Sequence, residues 1–157
     1  MPEVLPVRPY ENRIRERVFK VLQEAGLTVA VKKAIPPGLS DAEVVERLRY
    51  QHPAVLLIPY HAQTDAEGNS SNGLELAQRI EEQLPRLERV PILMPVSATA
   101  IQGVRGMLGF RTRRGPVSVA LQRRVLLIDE AELGDPTLPE RIRRHAAMRE
   151  EPARESA

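Results

Sequence analysis

A doubly wound α/β domain, with a mainly parallel sheet of about five strands between layers of helix, is predicted by two features of the sequence. Over the first two-thirds of the chain, apolar runs of strand length alternate with longer stretches whose apolar residues recur at helical spacing. One run, residues 54–58, is apolar throughout, as a strand buried on both faces of a parallel sheet requires.

Each element has its own signal. Residues 4–7 form a short apolar run interrupted by Pro6 and read as the first strand. In residues 11–25, Ile14, Val18, Phe19, Val21 and Leu22 share one helical face, and Gly26 stands where a helix ends. Residues 27–31 are a second strand. Residues 35–40 are a loop by their Pro and Gly content. Ser40 or Asp41 then caps a helix, with Glu43 near the capping-box position and Val44, Val45 and Leu48 as its apolar stripe. After the strand at 54–58, residues 64–72 are polar and read as a loop. Residues 74–87 are a helix carrying Leu74, Ala77, Ile80 and Leu84 on one face, and residues 90–96 are a fourth strand. The last third is less regular. Residues 97–109 hold a short helix weakened by glycine, 111–115 a basic turn, and 116–121 a strand or an extended loop. Residues 125–129 are a fifth buried strand, and 138–148 a closing helix. Strands joined by helices of this length imply βαβ crossovers. The expected organisation is one flavodoxin-like three-layer sandwich over residues 1–148 and a polar tail over 149–157.

The chain has 157 residues, 42% hydrophobic and 28% charged, in the range of a globular domain. No apolar run has the roughly 18 residues needed to cross a bilayer, and the start lacks the layout of a signal peptide. There is no cysteine, which excludes disulfides, thiolate metal sites and cysteine nucleophiles. A cytoplasmic location is the expectation. Twenty-three basic and 21 acidic residues leave a net charge of +2, too mild for a nucleic-acid protein. Aromatic residues are only 3%, too few for a base-stacking platform.

Ligands of such sheets bind beyond the carboxyl ends of the strands, so the loops there carry the functional information. They exclude several chemistries. No GxGxxG follows the first strand and no GxxxxGK[ST] occurs, so neither dinucleotide fingerprint nor P-loop is present. Receiver domains need acids after the first and third strands, where this chain has Arg8-Pro9 and Pro59-Tyr60. His52, His61 and His145 are scattered without metal-ligand spacing and read as surface or loop histidines. No metal ligand set is expected.

The order of the loops resembles that of Toll/interleukin-1 receptor (TIR) domains of bacterial type. Ala34-Ile35-Pro36-Pro37-Gly38-Leu39-Ser40, followed by an amphipathic helix, resembles their BB loop. The run 55–60 looks like their third strand and its Tyr-containing loop. Gly73-Leu74-Glu75-Leu76 is similar to the start of their third helix, and 90–96 to their fourth strand. The resemblance covers residues 4–96 well and 125–145 loosely. It departs from the family after the first strand (Arg8-Pro9-Tyr10-Glu11), after the second (Val31-Lys32-Lys33), and before the helix-three glutamate, where Asn72-Gly73 replaces Trp-Cys.

The resemblance implies two functions. One is a signalling or assembly module, self-associating or binding another chain through Ile35, Pro36, Pro37 and Gly38. The departures favour it. The other is cleavage of NAD as substrate, with Glu75 the matching carboxylate, which would stabilise an oxocarbenium ion, and Tyr10, Arg8, Ser40 and Tyr60 as ligand-binding residues. Plain structural readings stand beside these. Glu75 suits a helix N-terminus on dipole grounds alone, Tyr10 suits a half-buried sheet edge, and Pro37-Gly38 is a good type II turn. A third hypothesis is a phosphate- or nucleotide-binding regulatory domain using Arg105, Arg111, Arg113 and Arg114 in the Gly-rich stretch to Arg124, since guanidinium forks match phosphate oxygens. Its plain reading is a solvated basic face. A deoxyribosyltransferase-like enzyme shares the layout, but no motif points to it.

Overall fold

A computed structural model describes residues 2–8, 12–61, 63–65 and 67–148. Tyr10 and the expected tail at 149–157 lie outside the described residues.

The elements run, in order, β1 (Glu3–Pro6), α1 (Asn12–Glu24), β2 (Thr28–Val29), α2 (Asp41–Leu48), β3 (Val55–Leu57), β4 (Gln63–Thr64), β5 (Ser70–Ser71), α3 (Gly73–Gln83), β6 (Ile92–Val96), α4 (Ile101–Leu108), β7 (Arg111–Thr112), β8 (Gly115–Pro116), α5 (Val119–Arg124), β9 (Val125–Asp129) and α6 (Leu138–Ala147). Five strands pair in the order β2-β1-β3-β6-β9, every pair parallel. This is the flavodoxin-like order, whose switch point lies between β1 and β3.

The pleat sorts the core into two layers. Val4, Val55, Leu57, Leu93 and Ile128 face Val18, Val21 and Leu22 of α1 and Leu138 and Ile142 of α6. Leu5, Leu56, Ile58, Ile92, Met94 and Val96 face α2, α3, Val104 of α4 and Leu121 of α5. Most of these side chains are fully buried. At about 25 cal/mol per Å² of apolar surface removed from water, this double layer is the main stabilising term.

Several expectations need correction. The second strand shrinks to two residues, and a 3-10 turn over Val31–Lys33 follows it. The helix expected to reach 87 stops at Gln83, because Pro85 has no N–H to continue it and instead opens a 3-10 turn. The expected loop at 64–72 contains the antiparallel pair β4–β5, and the basic turn at 111–115 closes the pair β7–β8. Of residues 116–121 only Pro116 is in a strand, the end of β8: Ser118 Oγ accepts from Leu121 N at 3.0 Å and starts α5. His145 is buried rather than on the surface. Among the described residues no helix is long and apolar enough to cross a membrane.

Candidate functional site

The carboxyl ends of β1 and β3 meet the amino ends of α2 and α3. Arg8 leaves β1 with only 7% of its surface exposed. Its Nη2 donates to Asp41 Oδ1 at 2.5 Å and to Ser71 Oγ at 2.5 Å, and its Nη1 donates to Ser71 O at 2.8 Å. One guanidinium therefore joins β1, α2 and β5. Ser40 caps α2 in a reciprocal box: its Oγ accepts from Glu43 N at 3.2 Å, and its own N–H donates to Glu43 Oε1 at 3.3 Å. Arg8, Ser40, Asp41, Asp65, Ser71 and Arg79 line a cavity of about 240 Å³. Arg79 Nε is buried and has no hydrogen-bond partner among the described residues.

Glu75 is placed by a close backbone approach. A Cβ on Gly73 would stand 2.3 Å from Pro59 O, so only glycine lets α3 begin against the end of β3. Gly73 N donates to Tyr60 O at 2.9 Å. Asn72 Oδ1 accepts from Glu75 N at 2.8 Å, and Asn72 N donates to Glu75 Oε1 at 3.1 Å. The Arg113 fork completes the site, with Nε to Oε2 and Nη2 to Oε1 both at 2.8 Å. The bonds from Arg113, and to a smaller degree the amide of Asn72 and the nearby charge, hold the Glu75 carboxyl below the usual carboxylate range against its burial. Tyr60 is half-buried beside this pair, its hydroxyl 3.9 Å from Met107 Sδ. Burial, then the charge of Glu75, pushes its phenol up.

Chemically, Glu75 is a carboxylate held below the usual carboxylate range, whose oxygens already accept three bonds. Arg8 is equally committed. The structure thus brings Tyr60, Glu75 and Arg113 together, and brings Arg8 and Ser40 to one cavity. Ile35 is buried, whereas Pro36, Pro37 and Gly38 are exposed. Pro6, Phe19, Val31, Ile35, Pro36 and Pro37 flank a groove of about 490 Å³. The basic stretch does not converge: Arg113 serves Glu75, Arg114 Nη2 pairs with Glu82 Oε2 at 2.9 Å, and Arg105 and Arg111 are exposed. Arg124 departs from the solvated reading, being 6% exposed. Among the described residues no group of three His, Asp or Glu is placed to hold a metal ion.

Sequence reasoning missed the Arg113–Glu75 and Arg8–Asp41 pairs. The partners lie 38 and 33 residues apart, and no local pattern links them.

No family model and no curated protein matches the chain. Solved structures do. It is 9% identical to a response regulator receiver domain protein from Clostridium thermocellum, covering 100% of both chains with a TM-score of 0.54. It is 15% identical to a response regulator receiver protein from Sinorhizobium medicae, over 95% of this chain and 97% of that one, with a TM-score of 0.51. It is 16% identical to NtrX from Brucella abortus, over 97% of this chain and 29% of that one, with a TM-score of 0.54. At such identities the likeness is one of fold, and it establishes the flavodoxin-like α/β architecture of receiver domains. None of these three is a TIR domain, so the comparison extends the TIR resemblance no further than that shared architecture. The places after β1 and β3 hold Arg8 and Pro59-Tyr60, with no acid.

Proposed function

We propose that this chain is a signalling or assembly module that acts by protein–protein contact through the loop resembling the TIR BB loop, and not by phosphotransfer to aspartate. One observation carries the reading: the loop is fixed at both ends and free at its tip. Ile35 is buried in the core and its N–H donates to Pro6 O at 3.1 Å, while Ser40 is locked in its capping box. Between them Pro36, Pro37 and Gly38 are exposed, with Gly38 at φ 81°, a conformation that suits glycine after proline in a type II turn. A preordered apolar tip loses little entropy on binding.

Self-association is the favoured form. Val31, 62% exposed, adjoins this loop at the β2 edge of the sheet. Phe110, 72% exposed, lies in the turn after α4, and Val119, 63% exposed, opens α5, the helix that leads into the edge strand β9. Two different apolar patches toward opposite edges suit a head-to-tail contact between copies. The test is the mass in solution as concentration rises, for wild type, Pro37→Asp and Phe110→Asp. Wild type is expected to grow and each variant to stay monomeric. An equimolar mixture of the two variants should stop at a dimer, since each retains one good patch. A wild-type chain that stays monomeric throughout overturns self-association, and capture of a partner chain lost in Pro37→Asp would move the loop's role to another protein.

A second reading, NAD hydrolysis, draws on an ionised Glu75 beside Tyr60 under an Arg113 side chain that is 73% exposed. Water would take the place of nicotinamide on the ribose carbon, releasing nicotinamide, ADP-ribose and a proton. Nicotinamide release by wild type and its loss in Glu75→Ala is the measurement. The dispersal of the arginines at 105–114 weighs against a single phosphate site there.

A further inference from the structure

The β7–β8 hairpin lies across Glu75, and it does not hold itself there. It has two paired rungs, Arg111 with Pro116 and Thr112 with Gly115, and a hairpin of that size is not stable alone. Among the described residues, the side-chain hydrogen bonds that tie residues 111–116 to other elements run to α3 and to Ser70 O. On α3, Glu75, Gln78 and Glu82 are spaced by three and four residues and so share one face. Arg113 meets Glu75, Arg114 meets Glu82, and Gln78 meets the hairpin backbone between them.

Gln78 is buried, and its whole amide is in use. Nε2 donates to Gly115 O at 3.1 Å and to Pro116 O at 3.2 Å, and Oε1 accepts from the hydroxyl of the buried Thr112. Thr112 Oγ1 also accepts from Arg114 N at 3.1 Å, closing the turn that carries Arg113. The Arg113 side chain itself is largely exposed, and an exposed cation gains little from a carboxylate by itself. Its place on Glu75 therefore follows from the seating of the hairpin.

We propose, on the reading that Glu75 is the carboxylate that cleaves NAD, that Gln78 is a positioning residue and the hairpin an autoinhibitory strap: the Gln78 amide seats the hairpin, and the seated hairpin keeps Arg113 across both Glu75 oxygens, closed to a ribose hydroxyl. With the strap lifted, Glu75 keeps only the Asn72 bond on Oε1, and Oε2 is free to accept a hydroxyl beside Tyr60. Lifting it is cheap at the backbone, since Gly115 is half-buried and Pro116 exposed, and their carbonyls turn to water.

Two readouts on the same proteins test it: the Glu75 carboxyl carbon followed by NMR across pH, assigned against Glu75→Gln, and nicotinamide release. The charged and titratable groups acting on Glu75 are Tyr60 after β3 and Arg113 and Arg114 on the hairpin, and Gln78→Met changes none of them. Gln78→Met should nonetheless raise the Glu75 midpoint, as Arg113→Ala does, and the double variant should go no further. Each should release nicotinamide roughly tenfold faster than wild type, the size of one charge-assisted bond. Thr112→Val, which removes only the hydroxyl that Gln78 accepts, should move both readouts the same way and serves if Gln78→Met fails to fold. A Glu75 midpoint moved by Arg113→Ala but by neither Gln78→Met nor Thr112→Val would leave Gln78 a stabilising residue only and overturn its positioning role. A raised midpoint with release no faster than that of an active wild type would overturn the strap as an inhibitor. A raised midpoint with no release from any form, Arg113→Ala included, would support the positioning role and remove NAD as the substrate.

Discussion

The two ends of the sheet each bury an arginine, and they treat it in opposite ways. Arg8, 7% exposed, has a carboxylate, a hydroxyl and a carbonyl on its terminal nitrogens. Arg124, 6% exposed, has one carbonyl on Nε and, among the described residues, no partner on the other two nitrogens. The first is a structural clamp whose removal unbalances its neighbours. The second is a charge buried with two of its nitrogens unpaired among the described residues. Burial alone does not separate these roles, whereas counting met and unmet donors does.

Removing the clamp's counter-charge should have the largest effect. Asp41→Ala leaves Arg8 buried against a hydroxyl and a carbonyl only, and should cost about 3 kcal/mol in urea unfolding. A cost below about 1 kcal/mol would show that Ser71 alone satisfies Arg8 and would break the contrast. Next is Gly73→Ala, which forces a methyl against Pro59 O and should cost about 2 kcal/mol. Its amino-end counterpart, Ala120→Phe, should stay within about 0.5 kcal/mol of wild type. Ser40→Ala removes the α2 cap and should cost about 1 kcal/mol.

The two ends should also part in acid. Burial pushes the His145 imidazole down, outweighing its bonds to the Arg124 and Ile92 backbone. The unfolded chain then takes up that proton first, so this contribution to stability is full above the ordinary value near 6.5 and is lost as pH falls below it. Glu75 is also depressed, so its contribution is present above the ordinary carboxylate value near 4.3 and is lost only as pH falls further. His145→Gln should remove the loss near neutrality and leave the acid one in place. A small effect is also expected for Arg124→Met, within about 1 kcal/mol of wild type, since an apolar side chain there leaves no charge to satisfy. A loss as large as that of Asp41→Ala would mean that Arg124 is a clamp as well.

Much of the fold was legible because the core strands announce themselves. Residues 125–129 are apolar up to Asp129 and form β9 over those same five residues. Ser40 and Glu43 declare their capping box by spacing alone. The hairpins were not legible, since Ser70, Ser71, Arg111 and Gly115 carry no alternation of apolar side chains. Val117 and Val119 have the β-branching of a strand, and the Ser118 cap outweighed it to start α5. At the candidate site, Glu75 and the 35–40 loop could be found from local strings. Arg113 could not, because what places it against Glu75 is the β7–β8 turn, which is tertiary in origin. Arg124 was hidden differently: a charged residue in a basic run reads as solvated unless the packing of α6 against β9 is known.

The brevity of β2 has a consequence for how copies of this chain can join. An edge strand of ordinary length is a template on which a neighbour's backbone can be added, and such growth is nucleated and hard to reverse. Thr28–Val29 supplies two rungs, and the chain then winds into a turn carrying Lys32 and Lys33, both exposed. Growth by main-chain pairing is blocked at that border. Contacts made there must rest on side chains, so the resulting polymers should dissolve on dilution and show no seeding.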